Sequence, residues 1–195
     1  EVKKEKTKNT KTEKTKNKTQ NIGKIDLEKE ILCAKKENDQ PLQNKIIFNE
    51  IAWMGSQNSP NEEWIELKNI SNETIELKGW QIINSDQKIK IIFKEGEKIE
   101  PDGTYLLERN DDNSVPKEKA DKIYKGALKN SKESLYLFDQ NCQLQDEIIA
   151  DPDWPAGDNK TKRTMERKKD LTWQTSEDPG GTPKRENSPG YKEIS

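Results

Sequence analysis

The sequence contains no histidine among its 195 residues. A chain without imidazole excludes Ser-His-Asp and Cys-His nucleophile activation, and it excludes zinc sites of the HExxH kind. Apolar residues are scarce as well, at 28% of the chain against 37% charged residues. Because the net charge is only −2, this composition still permits a folded domain. No apolar run approaches the roughly 20 residues that a membrane-spanning helix needs, so we expect no transmembrane segment in this chain.

Cysteine is limited to Cys33 and Cys142. Two cysteines without histidine do not supply the four ligands of a structural zinc site. They permit one disulfide, which would close a loop of about 110 residues and stabilise the fold by about 4–5 kcal/mol in the chain-entropy model. Two free thiols in a reducing compartment fit the spacing equally well. The sequence leaves both alternatives open.

The N-terminal residues are rich in lysine, threonine and asparagine, with eight lysines and three glutamates in the first twenty positions. Such a segment has nothing to bury, and residues 1–23 are therefore predicted to be a disordered tether. A basic tract can bind nucleic acid through its charge, but the interspersed glutamates and the missing aromatic residues favour a spacer. Nucleic acid is thus a permitted partner and not the favoured one.

The rest of the chain divides into three predicted parts. Residues 24–44 form a short amphipathic lead-in, for which helix and strand both remain open. Residues 45–176 form the folded domain, and residues 177–195 form an irregular tail rich in proline and glycine.

The hydrophobic period becomes two from Lys45 onward. In 88–93, for example, Ile89, Ile91 and Phe93 face one way, while Lys88 and Lys90 face the other. Short runs of this kind separated by turn-forming residues, with no long helical segment between them, predict an antiparallel β-sandwich. The predicted strands are 45–53, 62–69, 73–77, 79–84, 88–93, 103–109, 133–139 and 145–150.

Several sequence motifs follow one another from the first predicted strand onward. The opening group consists of IFNEI (47–51), WIELKN (64–69) and IELKGW (75–80). Four further motifs are YLLER (105–109), WPAGDN (154–159), TMER (164–167) and WQTS (173–176), and they continue into PGGTP (179–183). These motifs and their order resemble the signature of the lamin tail domain family, and its bacterial members are the most similar.

This resemblance implies an all-β, immunoglobulin-like antiparallel sandwich, in agreement with the alternation. It implies no enzymatic activity, because the domain is a non-catalytic interaction module in nuclear lamins. Its bacterial members are similar to parts of secreted or surface-attached proteins, some of them joined to hydrolases. No heptad-repeat rod precedes the domain here, which argues against filament formation.

Two signature glutamates, Glu50 and Glu66, lie on predicted strands. A carboxylate there is expected to pair with Arg109, Arg163 or Arg167 and so to clamp a loop to a sheet. The alternative is a general acid/base pair, which would need a pocket and perturbed pKa values.

Aromatic residues beside turns are the candidate binding residues. Trp53, Met54, Trp154 and Trp173 are predicted to converge at one end of the sandwich, where an exposed indole can anchor a protein or a sugar ring. The alternative is that these indoles close the ends of a small core.

Aspartates in two loops are the candidate metal ligands, since calcium takes six to eight oxygen ligands. They are Asp111, Asp112, Asp151, Asp153 and Asp158. Neither loop matches the EF-hand pattern, and aspartate also caps turns, so calcium is a possible cofactor and absence of any cofactor is the favoured prediction.

Together these features predict a non-enzymatic binding or scaffolding module of an exported or cell-surface protein, presented on a flexible tether and acting as a monomer. Its partner is expected to be a protein or a surface polymer. The competing hypothesis is a metal-dependent hydrolase, either a nuclease or a glycosidase, that uses the clustered Asp and Glu residues.

Overall fold

The computed structural model describes residues 31–192, and in this range the chain forms twelve β-strands and no helix. The strands are β1 (Ile46–Ala52), β2 (Trp64–Asn69), β3 (Ile75–Glu76), β4 (Gln81–Asn84), β5 (Lys90–Ile92), β6 (Lys98–Ile99), β7 (Thr104–Arg109), β8 (Lys122–Tyr124), β9 (Ser131–Phe138), β10 (Leu144–Asp153), β11 (Arg163–Arg167) and β12 (Trp173–Pro179). Within the described part of the chain, no helix has the length and apolar character needed to cross a membrane.

The strands form two main sheets and one small ribbon. The six-stranded sheet has the order β12-β11-β1-β2-β7-β8, and the four-stranded sheet has the order β10-β9-β4-β5. Strands β3 and β6 pair as a separate two-stranded ribbon. The pairs are antiparallel except for β7 with β8, which are parallel.

The hydrophobic core lies between the two main sheets. Phe48, Ile65 and Leu67 from the six-stranded sheet share one buried cluster with Ile82 and Leu137 from the four-stranded sheet. Alternate residues such as Ile65 and Leu67 of β2 therefore face the core, as the period of two requires. The predicted immunoglobulin-like antiparallel sandwich is confirmed.

Each of the eight predicted strand segments overlaps an observed strand, whereas β6, β8, β11 and β12 were not predicted. Strand β11 has the sequence RTMER and carries one apolar side chain, Met165, so it shows no apolar alternation. It nevertheless lies inside the sheet between β12 and β1. Strand β12 continues to Pro179, three residues beyond the predicted domain boundary at 176.

The described part of the lead-in, residues 31–44, forms neither helix nor strand. It is held at the β9–β10 turn by a disulfide between Cys33 and Cys142, whose Cα atoms lie 5.3 Å apart. The backbone N–H groups of Leu42 and Gln43 donate to the carbonyls of Leu144 and Gln145 at 3.1 and 2.7 Å. The predicted tether, residues 1–23, lies outside the described residues.

Removal of the disulfide is expected to lower the free energy of unfolding by about 2–5 kcal/mol, because the bond joins residues 109 positions apart and restricts the unfolded chain. Equilibrium unfolding in urea of the Cys33→Ala/Cys142→Ala variant measures this loss. Reductant should destabilise the wild type and leave the variant unchanged. Equal urea midpoints for oxidised wild type and variant would contradict the prediction.

Candidate binding surface on the six-stranded sheet

The outer face of the six-stranded sheet carries three buried glutamates on adjacent strands. Glu50 of β1 lies opposite Glu66 of β2 and also opposite Glu166 of β11. All three have an exposed fraction of 0%. Their neighbours Ile65, Leu67 and Met165 face the core, so alternation places the glutamates on the opposite face. We call these three side chains the carboxylate row.

The carboxylate row is covered by residues 180–190, which we call the C-terminal segment. The backbone N–H of Thr182 donates to both carboxylate oxygens of Glu50, at 2.9 and 3.1 Å. The N–H groups of Lys184 and Ser188 donate to Glu66 and Glu166 at 2.6 and 3.2 Å. The C-terminal segment contains no strand, and these three backbone N–H groups have no carbonyl partners on a neighbouring strand. The carboxylates of the row accept hydrogen bonds from these groups instead.

Side-chain donors complete the coordination of the row. The hydroxyls of Thr164 and Thr182 donate to Glu50, the latter at 2.8 Å. The amide of Asn49 donates to Glu66 at 2.7 Å, and the amide of Gln174 donates to Glu166 at 2.9 Å. These donors hold each carboxylate in place beneath its cover.

Burial raises the pKa of two carboxyl groups of the row, those of Glu50 and Glu66. The pKa of Glu50 rises from its ordinary value of 4.5 to about 8, because burial disfavours the charged form more than its hydrogen bonds favour it. Burial likewise raises the pKa of Glu66 to about 7. Perturbed carboxyl groups on adjacent strands resemble a catalytic pair, but these two are covered and bound to backbone donors.

A fourth signature glutamate, Glu108 of β7, holds the loop at 110–121 in the same manner. The N–H of Ser114 donates to Glu108 Oε2 at 2.7 Å. Glu108 is fully buried, and burial raises its pKa.

The arginine partners predicted for Glu50 and Glu66 are wrong. Arg109 binds Glu63 at 3.1 Å, and Arg167 binds both oxygens of Asp146 at 2.9 and 2.7 Å. Arg109 and Arg167 each follow a buried glutamate by one position, so the pleat directs them to the other face of the sheet. Arg163 lies against the ring of Tyr191, at 4.4 Å from its centroid, and donates through Nε to the carbonyl of Glu177.

The structure brings two of the predicted binding tryptophans together. The rings of Trp53 and Trp154 stack with centroids 6.0 Å apart, and their exposed fractions are 8% and 7%. Their indole N–H groups donate to the carbonyls of Ala156 and Lys129 at 3.0 and 2.8 Å. This burial fits the alternative that the indoles close the core.

The other two predicted binding residues have different surroundings. Met54 is buried in the same core cluster as Trp53. Trp173 is half-buried on β12, and the centroid of its ring lies 3.8 Å from the guanidinium carbon of Arg167. Trp173 therefore supports a structural arginine.

The predicted metal ligands do not meet. Within residues 31–192, no group of three or more acidic or cysteine side chains is placed to hold a metal ion. Asp111, Asp151 and Asp153 are exposed. Asp112 accepts the N–H of Ala120 at 2.7 Å, and Asp158 accepts those of Lys160 and Thr161 at 3.0 and 3.2 Å. Asp112 and Asp158 thus fix loops, and calcium binding stays a prediction.

The comparison with protein families agrees with this architecture. A family model described as the lamin tail domain matches residues 40–151, more than half of the chain. The chain belongs to the lamin tail domain family. No curated protein matches it in the comparison with known sequences. In this lamin tail domain, the match extends from before β1 into β10, so β11, β12 and the C-terminal segment lie beyond it.

Sequence reasoning missed the residues that bind the row from above, namely Thr182, Lys184 and Ser188. Lys184 donates to Glu66 through its backbone N–H, a group that every residue except proline carries. The side-chain identity therefore gives no signal. The sequence carried only an indirect signal of this cover. Glutamates on one face of a strand need hydrogen-bond partners, and the arginines next to them in sequence lie on the opposite face of the sheet.

The stability of this lamin tail domain is expected to depend on pH through Glu50. The raised pKa of Glu50 means that the folded state favours the protonated form of this group. Its contribution to the free energy of unfolding is therefore fully present below about pH 4.5 and is lost as the pH rises through 8. Glu50→Gln mimics the neutral group. The difference in free energy of unfolding between the variant and the wild type should therefore shift in favour of the variant by on the order of a few kcal/mol from pH 5 to pH 9, as measured by urea unfolding. Glu76→Gln, at an exposed position on β3, is the control and should show no such gain.

The attachment of the C-terminal segment is expected to depend on Gly181. A methyl group at Gly181 would overlap Glu50 Oε1, whereas a methyl group at Gly180 would meet no described residue within 4 Å apart from its chain neighbours. Both glycines have positive φ, +68° and +80°, so alanine costs about 1–2 kcal/mol of backbone strain at either site. The free energy of unfolding, measured in urea, should therefore fall clearly more in Gly181→Ala than in Gly180→Ala.

Hydrogen exchange locates this effect. In Gly181→Ala the amides of Thr182 and Lys184 should exchange faster than in Gly180→Ala, while core amides of β2 keep their protection. Equal losses in the two alanine variants would show that Glu50 and Gly181 are not in close contact.

Proposed function

We propose that this lamin tail domain is a non-enzymatic binding or scaffolding module of an exported or cell-surface protein. The observation that carries the proposal is the carboxylate row. Glu50 and Glu66 are the signature carboxylates best placed for acid/base chemistry, and both are covered and bound to backbone N–H groups. Side chains used in this way serve to fix the fold.

The location outside the cytoplasm is supported by the bond between Cys33 and Cys142. Disulfides persist in oxidising compartments and are rare where thiols are kept reduced. The likeness of the sequence motifs to bacterial members of the family belongs to the same proposal, since those members resemble parts of secreted or surface-attached proteins.

Residues 1–23 serve in this proposal as a flexible tether. Their composition of lysine, threonine and asparagine favours an extended, solvated chain, and about 20 such residues reach at most about 70 Å. A tether of that reach lets a monomeric domain find a protein or polymer partner near its attachment point. Residues 45–195 carry 23 basic and 29 acidic side chains, which disfavours nucleic acid as the partner.

Turnover measurements test the absence of enzymatic activity. The full chain, with calcium or magnesium present, is expected to release no product from single-stranded DNA, RNA or a panel of polysaccharides. Metal-dependent hydrolysis that is lost in Glu50→Gln or Glu66→Gln and kept in Glu76→Gln would overturn this part of the proposal and favour the hydrolase.

Labelling of intact producing cells tests the location. A membrane-impermeant amine reagent should modify the lysines of this chain without cell lysis, and alkylation without reductant should leave Cys33 and Cys142 unmodified. Labelling only after lysis, together with two alkylated cysteines, would place the chain in a reducing interior.

A further inference from the structure

A cleft of about 450 Å³ opens on the outer face of the six-stranded sheet, at the side of the carboxylate row. Its walls are the C-terminal segment and the turn between β11 and β12, and its volume lies within the range typical of small-ligand sites, about 300–1,000 Å³. Apolar side chains line part of the cleft, namely Ile47, Ile70, Leu171 and Pro189.

Three lysines line the same cleft. Lys68 is half-buried on β2, and Lys168 and Lys169 are exposed in the β11–β12 turn. Within the described residues, Lys68 and Lys169 form no ion pair within 4 Å, and Lys168 approaches Asp170 at 3.8 Å. Arg167 also lines the cleft, but its guanidinium is used by Asp146 and by the carbonyls of Phe48 and Leu171. The cleft thus presents lysine charge on a domain that is acidic as a whole.

The wall formed by the C-terminal segment is held in place before any ligand arrives. Asn49 and Asn187 exchange side-chain amide hydrogen bonds of 3.0 and 3.1 Å. Asn187 also donates to the carbonyl of Arg167 at 2.7 Å, which ties the segment to β11. A preformed cleft loses less conformational freedom on binding than a mobile one.

Two carboxylates also line the cleft, those of Asp102 and Glu186. They repel a polymer that carries a negative charge on every unit. A peptide with one or two carboxylates beside an apolar side chain can place its charges near the lysines and its apolar group against Leu171 and Ile70. The mixture of apolar surface and lysine therefore favours an acidic peptide over a phosphate polymer.

We propose that this cleft binds a short acidic peptide segment of a protein partner, through Lys68 and Lys169 for its carboxylates and through the apolar wall for one aliphatic or aromatic side chain. The inference rests on the proposed function as a binding module, for which it names a site and a class of partner.

Panning of a phage-displayed library of random twelve-residue peptides on the full chain tests the proposal. Enriched sequences are expected to hold at least two acidic residues beside a large apolar residue. Synthetic copies should bind the wild type at least tenfold more tightly than Lys68→Glu/Lys169→Glu, as measured by fluorescence anisotropy. Copies with lysine in place of the acidic residues should reverse this preference.

A matched control separates the cleft from general charge. The Lys90→Glu/Lys119→Glu variant has the same change of charge at two exposed positions outside the cleft, and it should bind like the wild type. Urea unfolding of both variants verifies that each is folded.

Three outcomes would overturn the proposal. They are enrichment without acidic residues, equal weakening in the two charge-reversed variants, and tighter binding of inorganic polyphosphate than of the peptides at the same lysines. Each of these leaves the proposed function standing, since that proposal fails through turnover or through an internal location of the chain.

Discussion

Buried carboxylates that accept backbone N–H groups are the interaction on which this structure depends. Glu50, Glu66 and Glu166 hold the C-terminal segment, and Glu108 holds the loop at 110–121. The same device recurs elsewhere in the molecule, where Glu63 accepts the N–H of Leu128 at 2.8 Å. Segments without strand pairing thereby obtain acceptors for donors that would otherwise be buried without a partner.

This arrangement has an energetic cost that the pKa values make visible. A carboxylate removed from water loses solvation, and the pKa values of Glu50 and Glu66 rise to about 8 and 7 for that reason. Near neutral pH these two groups are therefore close to their protonation midpoints. Their protonated forms avoid the repulsion that charges on adjacent strands would otherwise create, while their oxygens still accept hydrogen bonds.

The molecule also compensates for its small supply of apolar residues. Both faces of β1, an inner strand of the six-stranded sheet, are covered, one by the second sheet and one by irregular segments, so every residue of β1 is buried. The stacked indoles of Trp53 and Trp154 lie in the main core cluster, and the bond from Cys33 to Cys142 ties the lead-in to the β9–β10 turn. The same irregular segments form the walls of the cleft, so the segments that stabilise the sheet also shape the surface available to a partner.

The sequence by itself determined the fold class and the positions of most strands, because side-chain alternation is a local property. Residues 88–93 show this, since Ile89, Ile91 and Phe93 are buried and Lys88 and Lys90 are exposed. Only the tertiary structure decided what covers the carboxylate row, where β11 lies and that the predicted aspartates do not meet. The physical reason is that the carboxylate row binds backbone N–H groups from distant positions in the chain. Nearly every residue type carries a backbone N–H group, so the sequence does not show which residues donate.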